Sequence, residues 1–207
     1  MTGAALEHLD FDGLTISFDS HVLRPRPWTA AQSRWAVELL VELPPGPVLE
    51  LCSGAGHIGL AAVQHSDRQL VCVDVEPAAV DVGRRNARAA GMHGRVEHRL
   101  GSLDDAVRAG ERFPLVIADP PWVTTRNVPA YPKDPTVAID GGLDGLDVAR
   151  RCLHVIEEHL ADGGSALLQL GSVDQVAPLL SFGDGSVRYV ETRQYNGGVV
   201  SRLDRNA

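Results

Sequence analysis

The tetrapeptide Asp119-Pro120-Pro121-Trp122 follows the apolar run Leu115 to Ala118, and its residue types suit one kind of chemistry. The nitrogen of an amide or aromatic amine is a poor nucleophile because its lone pair is delocalised. Acceptors placed on both of its N–H bonds turn that density toward an electrophile. The Asp119 carboxylate can take one hydrogen and the Pro120 carbonyl the other, Pro120 and Pro121 stiffen the turn, and Trp122 can stack on the planar group. Such a site gains its rate from positioning rather than from covalent chemistry. In that role Asp119 orients the nitrogen without removing a proton first, so its pKa is expected to stay well below neutral. A rigid strand-end turn with a core aromatic would use the same residues, so a second site must supply the electrophile.

That second site is Glu50-Leu51-Cys52-Ser53-Gly54-Ala55-Gly56. Gly54 and Gly56 let backbone approach a ligand closely, and Ser53 and Ala55 keep the loop small. Asp74-Val75 closes the next apolar run 20 residues after Gly54, where a carboxylate can accept from both hydroxyls of a ribose. Ser102 and Leu103 follow the third run. Together these make a nucleoside half-site, and the methyl donor that pairs a nucleoside with an electrophilic carbon is S-adenosyl-L-methionine. Gly54, Gly56 and Gly59 also match the dinucleotide fingerprint, which keeps an NAD-dependent oxidoreductase open. A third reading makes Gly54 and Gly56 a plain tight turn and Asp74 the cap of a helix from Pro77.

Short apolar runs alternating with helical periodicity must hold both sites. Val48–Leu51, Leu70–Val75, Val96–Leu100, Leu115–Ala118 and Ala166–Leu170 read as strands; Ile58–Gln64, Pro77–Ala90, Leu146–Leu160 and Val173–Leu180 read as helices. Gly91 and Gly163-Gly164 stand where C-terminal caps belong. Leu14–Val22 reads as a β-element around an Asp19-Ser20 turn, and a lead-in helix from Thr29 is stopped by Pro44-Pro45-Gly46-Pro47. Val187–Gln194 and Val199–Leu203 flank Tyr195-Asn196-Gly197-Gly198, a hairpin signal. The expectation is an α/β, Rossmann-like, doubly wound, mostly parallel sheet closed by a C-terminal antiparallel hairpin. It forms one domain over residues 1–207, with 1–46 as lead-in and 47–207 as the catalytic sheet.

With these motifs in register, the chain resembles class I methyltransferases whose fourth-strand motif is Asn/Asp-Pro-Pro-aromatic. It is most similar to the protein-(glutamine N5) methyltransferases that modify release factors. Val22-Leu23-Arg24-Pro25-Arg26-Pro27 resembles that family's Pro-Arg-Pro lead-in, Glu50 to Gly56 its glycine loop, and Asp74 its ribose acid. Ala138-Ile139-Asp140-Gly141-Gly142-Leu143-Asp144-Gly145-Leu146 resembles the stretch before its fifth strand. The resemblance implies seven strands, S-adenosyl-L-methionine at Cys52 to Gly56, Asp74 and Leu103, and a protein substrate, a translation factor among the candidates, with its amide at Asp119 to Trp122. Cys52 replaces the loop's first glycine, Ser102 an acid that reads adenine, Trp122 a tyrosine and Asp119 an asparagine. Cys52 and Ser102 also suit a binding module that has lost its chemistry. Asp-Pro-Pro-aromatic occurs as well in adenine N6 and guanine N2 methyltransferases, so RNA or DNA is the alternative substrate. The stretch before Val48 is too short for the helical domain of the bacterial members, and some shorter relatives work with a small partner subunit.

Composition bounds the remaining classes. The 207 residues are 44% hydrophobic and 22% charged, with a net charge of −8 and three cysteines. No apolar run suits a membrane helix and no signal peptide is evident, so a reducing cytoplasm is expected. The net charge opposes non-specific attraction to nucleic acid, and the loop from Val123 to Asp140 sets only Arg126 and Lys133 against Asp134 and Asp140. The eight histidines have no metal-ligand spacing, so no metal site is expected.

Overall fold

A computed structural model describes residues 5–206. Strands β1 (Glu7–Phe11) and β2 (Leu14–Phe18) form a hairpin, and α1 (Ala30–Leu40) follows a single 3-10 turn at Pro27–Thr29. Then come β3 (Val48–Leu51), α2 (His57–Val63), β4 (Leu70–Asp74), α3 (Pro77–Ala89), β5 (Val96–Leu100), α4 (Leu103–Ala106) and β6 (Phe113–Ala118). A 3-10 stretch at Thr125–Ala130 and α5 (Thr136–Ile139) lead into α6 (Asp147–His159), β7 (Leu160–Leu170), α7 (Val176–Leu180), β8 (Val187–Tyr195) and β9 (Gly198–Arg205).

The seven-stranded sheet runs β5-β4-β3-β6-β7-β9-β8, parallel except where β9 pairs with β7 and β8. Strands β3 and β6 lie at its centre and are buried throughout, as strands covered on both faces must be. One face packs Trp35, Ile58, Leu60 and Val82 from α1, α2 and α3; the other packs Cys152, Leu153, Ile156 and Leu179 from α6 and α7. The chain works outward from β3 to β5 and then returns to β6, which places a crevice at the C-terminal ends of β3 and β6, where open α/β sheets bind ligands. No helix among the described residues is long and apolar enough to cross a membrane.

Three local expectations are corrected. The N-terminal turn lies at Asp12-Gly13, with φ of 52° and 86°, rather than at Asp19-Ser20, because only that pair takes the left-handed geometry a two-residue hairpin needs. Gly163 does not cap α6. That helix ends at His159 with Leu160 already extended, and Gly163, at φ 69°, lies in the irregular start of β7. Helices α4 and α5 have four residues each, too short for a periodicity to register.

Asn86 of α3 ties the hairpin to the sheet. Its Nδ2 donates to the Ser17 carbonyl (3.0 Å) and the Ala55 carbonyl (2.9 Å), and its Oδ1 accepts from the Ser17 N–H (2.8 Å). The residue is 1% exposed, so its loss leaves three backbone groups unsatisfied. Asn86→Ala is expected to cost about 2–4 kcal/mol of stability, measured by urea denaturation. Asn86→Leu should cost as much, since volume is not what is lost.

Candidate active site

The glycine loop owes its shape to a carboxyl group buried beneath it. Glu50 is 2% exposed; its Oε1 accepts from the Gly59 N–H at 2.9 Å and its Oε2 from the Cys72 thiol at 3.3 Å. Burial pushes its pKa up to about 7 against the opposing pull of the Gly59 N–H. A side chain at Gly59 would collide with that carboxyl group, which accounts for the third glycine of the fingerprint without a dinucleotide. Glu50, placed by the sequence among ligand contacts, is thus turned under the loop and lines neither of the two cavities described below.

Above it, Cys52 adopts φ 55°, a left-handed conformation that costs a side-chain-bearing residue roughly 1 kcal/mol. This is the position of the glycine it replaces. Its sulfur lies 3.9 Å from that of Cys152 on α6, and this contact, with burial, raises the Cys52 pKa. Gly54, at φ 51°, has open space where a side chain would stand, so a ligand can lie directly on its backbone. Its N–H donates to Asp74 Oδ2 at 2.7 Å, while the Glu76 N–H donates to Oδ1 at 2.9 Å. Asp74 therefore shapes the loop as well as starting α3, and burial raises its pKa.

A cavity of about 740 Å³ opens over this loop, large enough for a nucleoside with an amino-acid tail. Cys52, Ser53, Gly54, Ala55, Asp74, Val75, Ser102 and Leu103 all line it; Gly56 does not, and instead starts α2 at φ 72°. The Ser102 hydroxyl donates to Asp105, three residues on, at 2.7 Å. His57 also lines the cavity. Burial lowers its pKa to about 3, its ring packs edge-on against Phe11, and Nε2 lies 3.3 Å from the Thr29 hydroxyl.

A second cavity of about 600 Å³ lies beyond β6, walled by Trp28, Pro120, Trp122, Tyr131, Gln169 and Tyr195. Asp119 and Pro121 line both cavities and so mark their shared border. The Asp119 carboxylate accepts no hydrogen bond from any described residue, and burial pushes its pKa to about 7. The surface it keeps faces the cavities. The low pKa expected from its orienting role is therefore corrected: nothing in the folded protein compensates its charge.

The glycine-rich stretch after α5 grips the Asp119 to Trp122 turn. Val123 N–H donates to the Ile139 carbonyl (3.0 Å), and Gly141 N–H to the Val123 carbonyl (2.8 Å). A Cβ on Gly141 would come within 2.7 Å of the Pro121 carbonyl oxygen, and one on Gly145 would clash with that of Trp122. Gln175 completes the clasp, its Nε2 donating to the Trp122 carbonyl (3.2 Å) and its Oε1 accepting from the Gly171 N–H (2.9 Å). Thr136, Asp140, Gly142 and Asp147 from this region line the first cavity. Asp140 and Gly142 belong to the stretch that resembles the family's, but its residue types do not place it at this cavity, since only the fold carries the segment across the sheet.

The Trp122 ring lies against Gly171 at the end of β7, where a Cβ would come within 3.0 Å of its ring carbons. Gly171→Ala must therefore displace the indole. Turnover with an acceptor in the second cavity should fall about tenfold, while nucleoside affinity in the first, read by calorimetry, stays unchanged.

Comparison with known proteins bears on the family and the fold. The family model described as methyltransferase small domain matches residues 31–131. The release factor glutamine methyltransferase of Clostridium acetobutylicum is 30% identical over 208 residues, covering 96% of this chain and 71% of that protein. The ribosomal protein uL3 glutamine methyltransferase of Bradyrhizobium diazoefficiens is 36% identical over 142 residues, 64% of this chain and 44% of that one. Among solved structures, the ribosomal protein L11 methylase of Lactobacillus delbrueckii subsp. bulgaricus has the same fold, with a TM-score of 0.66 at 13% identity, covering 91% of this chain and 84% of that one.

Proposed function

The chain belongs to the family of release factor glutamine methyltransferases, and we propose that it methylates the side-chain amide nitrogen of a glutamine in a protein, a translation factor or ribosomal protein being the natural class. S-adenosyl-L-methionine is the methyl donor, and it supplies an electrophilic carbon on a positively charged sulfur. The loop from Cys52 to Ala55, Asp74, Val75, Ser102 and Leu103 would hold it, and the fit rests on the open face of Gly54 beside a carboxylate with free lone pairs. Gly56 and Glu50 support that loop from below.

The observation that carries the reading is the border the cavities share at Asp119 and Pro121. An amide in the second cavity would give one N–H to the Asp119 carboxylate and the other to the Pro120 carbonyl, with its plane against Trp122. Its lone pair then points across the border. The nitrogen sheds its proton after its bond to carbon has formed, so no strong base is required.

A purine amine presents the same planar N–H₂, and Asp119 in place of asparagine favours that second reading. The charge of the second cavity supports the protein substrate. Its one arginine, Arg26, is paired with Asp134, which leaves no unpaired arginine or lysine among the residues that line it. The test incubates pure protein and methyl-labelled cofactor with separated protein, RNA and DNA fractions and locates the label by mass spectrometry. Label on glutamine is expected. Label on adenine or guanine alone would move the substrate to nucleic acid, and binding of NAD in place of the methyl donor would overturn the enzyme class.

A further inference from the structure

We propose that Asp119 makes the first cavity selective for a cationic nucleoside, so that the sulfonium donor is held more tightly than the neutral thioether left after transfer. The inference rests on the methyltransferase reading above and adds a role to the residue that orients the acceptor.

Orientation of an amide needs only an acceptor oxygen, which the asparagine of the family's motif would also provide. The full negative charge of Asp119 is surplus to that task. It is also costly, because the carboxylate is half-buried, accepts no hydrogen bond from any described residue, and stands close enough to Glu50 and Cys52 to raise the pKa of both. Once a ligand displaces solvent from the cavity such a charge needs a partner, and the described residues offer none. The arginines on the cavity wall are already engaged, Arg24 with Glu7, Arg26 with Asp134 and Arg151 with Asp104. Among the described residues no cation lies within ion-pair distance of Asp74, Glu76, Asp119 or Asp140, all of which line the same cavity. The missing positive charge must come with the ligand.

The reaction removes that charge. As the new N–C bond forms, the C–S bond breaks, its electron pair stays on sulfur, and the acceptor nitrogen releases one proton to solvent. What began as a cation ends as a neutral thioether, and its attraction to Asp119 ends with it. The spent nucleoside is then the weaker ligand, so fresh donor displaces it and product inhibition is slight.

Calorimetric titration of S-adenosylmethionine and S-adenosylhomocysteine at about pH 8.5, well above the Asp119 pKa of about 7, tests this directly. The wild-type protein should bind the sulfonium at least about fivefold more tightly, the scale of one unit charge at close range in a partly polar site. In Asp119→Asn, which keeps the shape, and in Asp119→Ser, the two affinities should come within about twofold, chiefly through tighter binding of the thioether. Circular dichroism confirms that each variant is folded, and the wild-type order alone decides the matter if neither is. A thioether bound as tightly as the sulfonium by wild type, or a preference that survives in the variants, would overturn the inference and leave the methyltransferase standing. If neither nucleoside binds, the methyltransferase reading itself fails.

Discussion

Asp119→Ala is expected to lower kcat by at least about 100-fold while total nucleoside binding in the first cavity persists. The carboxylate is the only side-chain acceptor in the Asp119 to Trp122 turn. Without it the amide keeps one hydrogen bond, to the Pro120 carbonyl, and can rotate out of line. A contact made chiefly in the transition state is lost, so kcat and kcat/KM should fall together. The pH profile supplies a second reading. With its pKa at about 7 in the folded protein, Asp119 is protonated in mildly acidic solution and no longer offers its charge to a cationic donor. The kcat/KM for the donor should rise with pH and level off above about 7, and Asp119→Asn should flatten that limb.

The same burial has a stability consequence of definite sign. A carboxyl group whose pKa is higher in the folded state favours folding while protonated, and that contribution is lost as pH rises from the ordinary carboxylate range through about 7. Above pH 7 wild type carries the full penalty, so ligand-free Asp119→Asn should be more stable there by on the order of 2 kcal/mol, and equally stable near pH 4. Thermal unfolding at the two pH values checks it. A variant less stable than wild type at high pH would mean that the carboxylate has a partner.

The second large effect is expected at Asp74. Asp74→Ala removes the acceptor of the Gly54 N–H and of the Glu76 N–H together with any hydrogen bond to a ribose. Nucleoside affinity should fall about 100-fold and the melting temperature by several degrees, both read by calorimetry. Asp74→Asn separates the parts. Its remaining oxygen can keep one backbone donor, so stability should recover further than affinity, because an amide offers a ribose one acceptor where a carboxylate offers two.

What the sequence made legible is local. The strands of the sheet's centre are runs of apolar residues long enough to be read directly, and the glycine loop, Asp74 and the Asp119 to Trp122 turn each carry their chemistry within a few neighbouring residues. Glu50 shows where such reading ends. An acid at the end of a strand beside a glycine loop looks like a ligand contact, and only the packing of α2 reveals that Gly59 lies over it. The clasp of Gln175 on Trp122 joins positions 53 residues apart, and the hairpin turn that walls the second cavity is more distant still. The pKa of Asp119 escaped for a related reason. Its cause is burial that no donor offsets, and a lack of donors in space leaves no mark along a chain.

The border at Asp119 and Pro121 has a use for ligand design. Two neighbouring chambers that share a wall can be filled by one molecule, a bisubstrate inhibitor carrying a nucleoside on one arm and a primary amide on the other. Joining the arms turns the second binding event into an intramolecular one, so modest affinities for each chamber multiply when the tether fits. The arms should meet at a basic nitrogen in the position of the sulfur, beside a carboxylate that has no other counterion.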